Sequence, residues 1–269
     1  MCVKNKVAVV TGGASGIGYA CAQELSEQGA SVAIVDRDDC AGRRALRELR
    51  AAGRAVEFVR ADVTQSREVQ SAVREVVTKF SHINILVNNA GIQRYGTVTS
   101  SSEEEWDEVL NANLKSTFLV SKYVIPEMIR NGGGSAVIVA SVQSFAAQRN
   151  SAAYVSSKHA LLGLTRSMAI DYAKNCIRVN CVCPGAIDTP MLRWAVSLDP
   201  NPDGVMEACN KSHALGRIGR PREVARVVAF LASDQASFVT GSAVMVDGGL
   251  LVPAGGMAFQ ETGTGATSR

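Results

Sequence analysis

Short apolar runs of strand length recur along the chain at 7–11, 32–36, 56–61, 85–88, 136–140, 177–183 and 243–246, and longer stretches with helical spacing separate most of them. After the first run, Ile17, Ala20, Cys21 and Leu25 fall at i, i+3, i+4 and i+8, the stripe of a helix laid on a sheet, and Gly29 is placed to end it. Similar spacing predicts helices over 43–50, 68–80, 106–129, 153–173 and 222–232. Strands that are apolar almost throughout and alternate with helices predict an α/β protein, a doubly wound parallel sheet of about seven strands with helices on both faces. Two segments break the alternation. The first, 190–215, carries Trp194, Pro200, Pro202 and Gly204 between the sixth strand and the last helix, and is expected to be a substrate lid above the sheet. The second, 253–269, is rich in Gly, Thr and Ser and reads as a flexible tail, with Met257 and Phe259 as residues able to dock on a neighbouring surface. No internal repeat or second core is visible, so 1–252 is expected to form a single domain.

At 269 residues and 46% hydrophobic, the chain can bury a sizeable core. Lys and Arg number 28 against 25 Asp and Glu, with no basic run interleaved with aromatics, so nucleic acid is not an expected partner. No stretch is long enough to span a bilayer, and the polar start followed by the short run at 7–10 is not a secretory signal, so the expected location is the cytoplasm. The seven cysteines show no paired CxxC spacing and read as reduced thiols. Cys181 and Cys183 would share one face of a strand with no His nearby, so no metal is expected there.

The first strand ends in Thr11-Gly12-Gly13-Ala14-Ser15-Gly16-Ile17-Gly18, and a helix follows at once. Small residues let the backbone approach a pyrophosphate, and the helix N-terminus offers free N–H groups to it; the bland alternative is a structural turn. Asp36 closes the second strand 18 residues beyond Gly18, where its carboxylate can accept both adenosine ribose hydroxyls and repel a 2′-phosphate. With no Lys or Arg at Ala14 or Ser15, NAD is expected rather than NADP. Arg37 dissents, since a cation there could hold the extra phosphate; beside Asp36 it is read as solvated or stacked on adenine.

Tyr154 and Lys158, four apart, project from one face of a predicted helix, and Ser141 stands 13 residues earlier at the carboxyl end of the fifth strand, where ligands bind in parallel sheets. With the TGxxxGxG loop, Asp62-Val63, Asn88-Asn89-Ala90-Gly91, Asn113, Pro184-Gly185 and Thr189, these residues make the chain resemble a short-chain dehydrogenase/reductase from Lys6 to about Gly249. The resemblance implies a Rossmann-type sheet and an NAD(P)-dependent enzyme acting on CH–OH groups. Tyr154 would be the acid/base, Lys158 its charge partner and a hold on the nicotinamide ribose, and Ser141 a hydrogen bond to the substrate oxygen. Asn113 would help position a water linking Lys158 to solvent. It further implies cofactor contacts from Gly12, Ser15, Gly16, Ile17, Gly18, Asp36, Arg37, Asp62, Val63, Asn88, Asn89, Ala90, Gly91, Pro184, Gly185, Ile187 and Thr189, and a homo-oligomer, commonly a tetramer, assembled through the helices at 106–129 and 153–173. The chemistry agrees: a phenol titrating near ~10 needs a neighbouring positive charge to act as a base at neutral pH. On the residues alone, Ser141 could merely end a strand, and Asn113 could merely satisfy backbone groups.

The expected substrate lining is Gln93, Arg94 and Tyr95 after the Asn-Asn-Ala-Gly turn, Ser141, Gln143, Gln148, Arg149 and Asn150, and Met191, Arg193 and Trp194 in the lid. Its amides and guanidinium groups favour a small polyhydroxylated substrate in sugar metabolism, a sugar, polyol or sugar acid oxidised by NAD, unless these side chains face solvent. Two alternatives stay open: a 3-oxoacyl-carrier-protein reductase using NADPH, and a regulatory or scaffold protein that binds NAD without turnover.

Overall fold

The computed structural model describes residues 3–252; the tail at 253–269, with Met257 and Phe259, lies outside them. Seven strands, β1 (Val7–Thr11), β2 (Ser31–Asp36), β3 (Val56–Arg60), β4 (Ile85–Asn88), β5 (Gly134–Val139), β6 (Ile177–Pro184) and β7 (Ala243–Val246), form one sheet in the order β3-β2-β1-β4-β5-β6-β7. Every pairing is parallel. Successive strand residues point to opposite faces, and the two faces are both dry. Val7, Val9, Ala33 and Val35 pack with Val73 of α3 (Ser66–Phe80), Leu119 and Val124 of α5 (Ser116–Arg130) and Leu161 of α6 (Ala152–Tyr172). Ala8, Val10, Val32 and Ile34 pack with Cys21 and Leu25 of α1 (Gly16–Glu27), Leu49 of α2 (Asp39–Ala51) and Val228 of α9 (Pro221–Ala232). Cys181 and Cys183 are buried on the α6 side of the sheet. Among the described residues no helix is long and apolar enough to cross a membrane.

Three stretches differ from the expected elements. The helix expected over 106–129 is broken: α4 (Glu103–Leu110), opened by a Ser102–Glu105 capping box, runs into a π-helical turn, Asn111–Lys115, before α5 begins. There the Ser116 hydroxyl donates to the Ala112 carbonyl at 2.6 Å and Thr117 to the Asn113 carbonyl at 3.0 Å, bonds that compete with the regular helical ladder. Second, α2 starts four residues earlier than the apolar spacing implied, because the Asp38 carboxylate accepts the Ala41 N–H at 2.9 Å and caps it. Third, the segment at 190–215 is largely helical. α7 (Pro190–Ser197) and α8 (Pro202–Ser212) each have Pro in the first turn and a side-chain cap, from Thr189 and Asn201 respectively.

The end of α9 is fastened to the sheet by Arg178 of β6, whose half-buried guanidinium donates to the carbonyls of Leu231 at 2.8 Å and Ser233 at 2.9 Å. Exchanging Arg178 for Met removes both donors while keeping an apolar stem. The expected loss, read from denaturant midpoints, is about 1.5–3 kcal/mol, the range for hydrogen bonds from a charged group, since each carbonyl keeps a second donor, Ser135 Oγ on Leu231 and the Ala236 N–H on Ser233; an unchanged midpoint would show that the guanidinium does not hold α9.

Candidate active site

A cavity of about 1070 Å³ opens at the carboxyl ends of the strands, where the strand order reverses between β1 and β4. At one end lies the loop between β1 and α1. Gly12 and Gly16 adopt φ of +60° and +54°, which side-chain-bearing residues rarely do, and both line the cavity with Ser15 and Ile17. Gly18 does not line it. A Cβ on Gly18 would stand 2.1 Å from the Gly12 carbonyl oxygen, so its work is to let α1 pack against the loop.

Two side chains brace this loop. Asn89 donates from Nδ2 to the carbonyls of Thr11 and Gly12 at 3.0 and 3.1 Å, and Thr11 Oγ1 accepts the N–H groups of Asn89 and Ala90 at 3.0 and 3.1 Å. Asp36 Oδ2 accepts the Ala14 N–H at 3.1 Å while Oδ1 accepts that of Asp38 at 3.1 Å, which fixes the carboxylate at the cavity edge. Arg37 is exposed and also lines the cavity. Asp62 is held by Thr64, whose N–H and Oγ1 both donate to Oδ1, and Val63, Ala90 and Gly91 complete this wall. Asn88 is buried away from it, its Nδ2 donating to Ser121 at 3.1 Å.

At the other end, Ser141, Tyr154 and Lys158 converge on the cavity, all buried. Lys158 Nζ donates to the Val139 carbonyl at 2.9 Å and sits 5.5 Å from the centre of the Tyr154 ring. Burial pulls Lys158 down to about 8, because its ammonium is shielded from water. Burial pushes the Tyr154 phenol up to about 12 against the opposing hydrogen bond from Ser141, with Tyr95 raising it further. Ser141 Oγ accepts the Gln143 N–H at 3.0 Å, which leaves its own proton for the Tyr154 phenol oxygen. Asn113, in the π-helical turn, does not line the cavity. Its Oδ1 accepts the Ile92 N–H at 2.8 Å and its Nδ2 donates to the Ile92 carbonyl and to Ser157 Oγ, both at 3.0 Å, so it joins the turn after β4 to α6.

The loop after β6 brings Pro184, Gly185, Ile187 and Thr189 to the cavity, and α7 adds Met191. Gln93, Gln143, Gln148, Arg149 and Asn150 line it as well. Arg193 and Trp194 do not: Arg193 turns outward to Asp188, at 2.8 and 3.0 Å, and Trp194 stacks on Tyr95 with centroids 6.0 Å apart. Arg94 likewise pairs with Glu108. One lining residue gave no sequence signal. His213, buried at the end of α8, donates from Nδ1 to the Cys209 carbonyl at 2.6 Å and accepts the Ala186 N–H on Nε2 at 3.2 Å, tying α8 to the Gly185 loop. Much of the remaining wall beneath the lid is apolar, including Val142, Leu192, Val205 and Leu250.

A family model described as enoyl-(acyl carrier protein) reductase matches residues 12–251. The 3-oxoacyl-(acyl-carrier-protein) reductase FabG of Thermotoga maritima is 38% identical over 252 residues, 94% of this chain and 100% of that one. Dehydrogenase/reductase SDR family member 4 of Bos taurus is 38% identical over 250 residues, 92% of this chain and 88% of that one. The ligand-free aldohexose dehydrogenase of Thermoplasma acidophilum superposes with a TM-score of 0.87 at 39% identity, covering 94% of this chain and 97% of that one. The chain belongs to the short-chain dehydrogenase/reductase family, oxidoreductases that use NAD(P) and act on alcohols and ketones.

Proposed function

We propose that the chain is an NAD-dependent enzyme interconverting a secondary alcohol and a ketone, or a hemiacetal and a lactone, on a small polyhydroxylated substrate such as a sugar, polyol or sugar acid. The observation that carries this reading is the convergence of Ser141, Tyr154 and Lys158 at one end of a cavity whose other end is the glycine loop and Asp36. The cradle fits a dinucleotide: small residues at positive φ lead directly into the N-terminus of α1, where backbone N–H groups suit a pyrophosphate. When bound, the nicotinamide supplies the hydride acceptor for an alcohol or the hydride donor for a ketone.

Tyr154 moves the proton at the substrate oxygen. Held up to about 12, its phenol keeps its proton at neutral pH, the form that ketone reduction consumes. For oxidation the phenolate must be stabilised, and the Lys158 ammonium and the Ser141 hydroxyl are the groups placed to do so. The Ser141 hydroxyl, beside the Tyr154 phenol, would orient the substrate oxygen when it enters between them, and the Lys158 donors not used on Val139 suit ribose hydroxyls. Asn113 is a positioning residue, acting through Ile92 and Ser157. α7 and α8 serve as the lid. Exposed Phe118 on α5 and Ile170 on α6 support association of copies of the chain through these helices.

Initial rates with NAD and NADP across sugars, polyols, cyclic alcohols and acyl substrates test the reading. Asp36→Asn keeps an acceptor for Ala14 but removes the charge that opposes a 2′-phosphate, so the NADP-to-NAD ratio of kcat/KM is expected to rise about 10- to 100-fold, or 1.4–2.8 kcal/mol. An unchanged ratio would remove Asp36 as the basis of cofactor choice. The likeness to the Thermotoga maritima reductase and the apolar wall under the lid keep a second reading open, an NADPH-dependent 3-oxoacyl-carrier-protein reductase; activity confined to NADPH and acyl substrates would establish it.

A further inference from the structure

The loop after β6 runs from the reaction end of the cavity to its glycine loop. It leaves the sheet beside β5, where the Ala140 N–H, next to Ser141, donates to the Val182 carbonyl at 2.9 Å. It reaches the glycine loop at Thr189, whose Cγ2 would stand 3.4 Å from a Cβ on Gly16. Gly185, Ala186, Ile187 and Thr189 all line the cavity. A dinucleotide with its pyrophosphate on the glycine loop and its nicotinamide at Ser141 and Tyr154 therefore lays its nicotinamide half along 185–189.

Main-chain bonds hold most of this loop. The Gly185 N–H donates to the Val246 carbonyl at 3.1 Å, the Gly219 N–H to the Ala186 carbonyl at 2.8 Å, and the Asp188 N–H to the Gly219 carbonyl at 2.9 Å. The Ala186 N–H goes instead to a side chain, His213 Nε2, at 3.2 Å. A backbone N–H can only donate, so Nε2 is the bare nitrogen and the ring proton sits on Nδ1, which gives it to the Cys209 carbonyl at 2.6 Å. The ring is 3% exposed and occupies space that Gly185 leaves to it, since a Cβ on Gly185 would stand 2.8 Å from Nε2. With the N–H groups of Ala186 and Asp188 both engaged, that of Ile187 between them has no partner among the described residues.

We propose that His213 is a positioning residue for the nicotinamide half of the cofactor, its bare Nε2 fixing the 185–189 loop against which that half lies. This rests on reading the cavity as a dinucleotide site. Without the acceptor, the Ala186 N–H has no partner, and the loop must turn to find another or leave it unpaired. The adenosine half is gripped elsewhere, by Asp36 and the glycine loop, and His213 touches neither.

The test titrates NADH and NADPH, followed by nicotinamide fluorescence, and ADP-ribose, followed by calorimetry, into the wild type, His213→Asn and His213→Gln. Asparagine carries its amide where Nδ1 stands, so it can still donate to Cys209 but has nothing at the Nε2 position. Glutamine carries an amide oxygen one bond farther out, able to accept from Ala186. His213→Asn is expected to raise the Kd of the preferred reduced dinucleotide about 10-fold, while that of ADP-ribose, which has no nicotinamide, changes by less than about twofold. His213→Gln should recover most of the lost affinity. An asparagine variant that binds the dinucleotide as the wild type does, one that loses ADP-ribose by the same factor, or a glutamine variant no better than asparagine overturns the positioning role and leaves the dinucleotide site standing. A wild type that binds none of the three ligands overturns the dinucleotide site, and the role of His213 with it.

Discussion

Tyr154→Phe is expected to lower kcat by about 10²- to 10⁴-fold, the usual contribution of a positioned acid/base, while nicotinamide cofactor binding stays nearly intact. The aromatic ring packs against Val109 and Ala153 in a small cluster of its own, so Phe keeps the packing and deletes only the oxygen that meets the substrate and Ser141. Burial puts the free protein's phenol at about 12, so it stays protonated across the neutral range, and ketone reduction by the wild type should be insensitive to its titration there. Absorbance of the reduced nicotinamide in steady-state and single-turnover assays reads the effect. A variant keeping a tenth or more of kcat would remove Tyr154 from the proton transfer.

Lys158→Met should cost activity and leave the fold no weaker at neutral pH. Burial lowers this amine from 10.5 to about 8. At 1.36 kcal/mol per unit, that withholds about 3 kcal/mol of stability while the ammonium is charged. The folded value lies below the unfolded one, so the unfolded chain binds more protons between the two. Wild-type stability from this group therefore rises with pH from about 8 to 10.5, with the cost fully present below that window. Methionine abolishes the dependence, although the Val139 carbonyl then loses its donor, an offset of about 1–3 kcal/mol. Denaturant midpoints of both proteins at pH 7 and pH 9.5 isolate the effect; equal pH slopes would show that Lys158 is not the titrating group. Turnover is expected to fall about 100-fold or more, since the phenolate loses its charge partner.

The parts of this molecule legible from its sequence are those fixed by short-range spacing. Val7–Thr11 followed by the glycine loop, Asp36 at the end of β2, and Ser141, Tyr154 and Lys158 at the end of β5 and on α6 needed only strand and helix periodicity to be placed at one edge of the sheet. What escaped depends on contacts distant in the chain or on capping. The break at Asn111–Lys115 is hidden within an uninterrupted apolar spacing and shows only through the hydroxyls of Ser116 and Thr117. α7 and α8 carry their signal in Thr189-Pro190 and Asn201-Pro202, cap and first turn, rather than in a long stripe. The direction of Arg193 and Trp194 follows from how α7 is rotated on its neighbours, and composition placed both on the wrong side. His213 meets Ala186 across 27 positions, which no local pattern foretells.

The order of the strands also sets when the molecule becomes an enzyme during its synthesis. β1 lies inside the sheet, and a nascent chain that has emerged through the turn after β4 already carries the glycine loop, Asn89 and Asp36. Tyr154 and Lys158, the proposed acid/base and its charge partner, arrive only with α6, and the far wall closes only with Leu250 and Leu251. A chain that ends between β4 and α6 carries the residues of the adenosine end of the cradle without Tyr154 and Lys158, so turnover requires synthesis at least through α6.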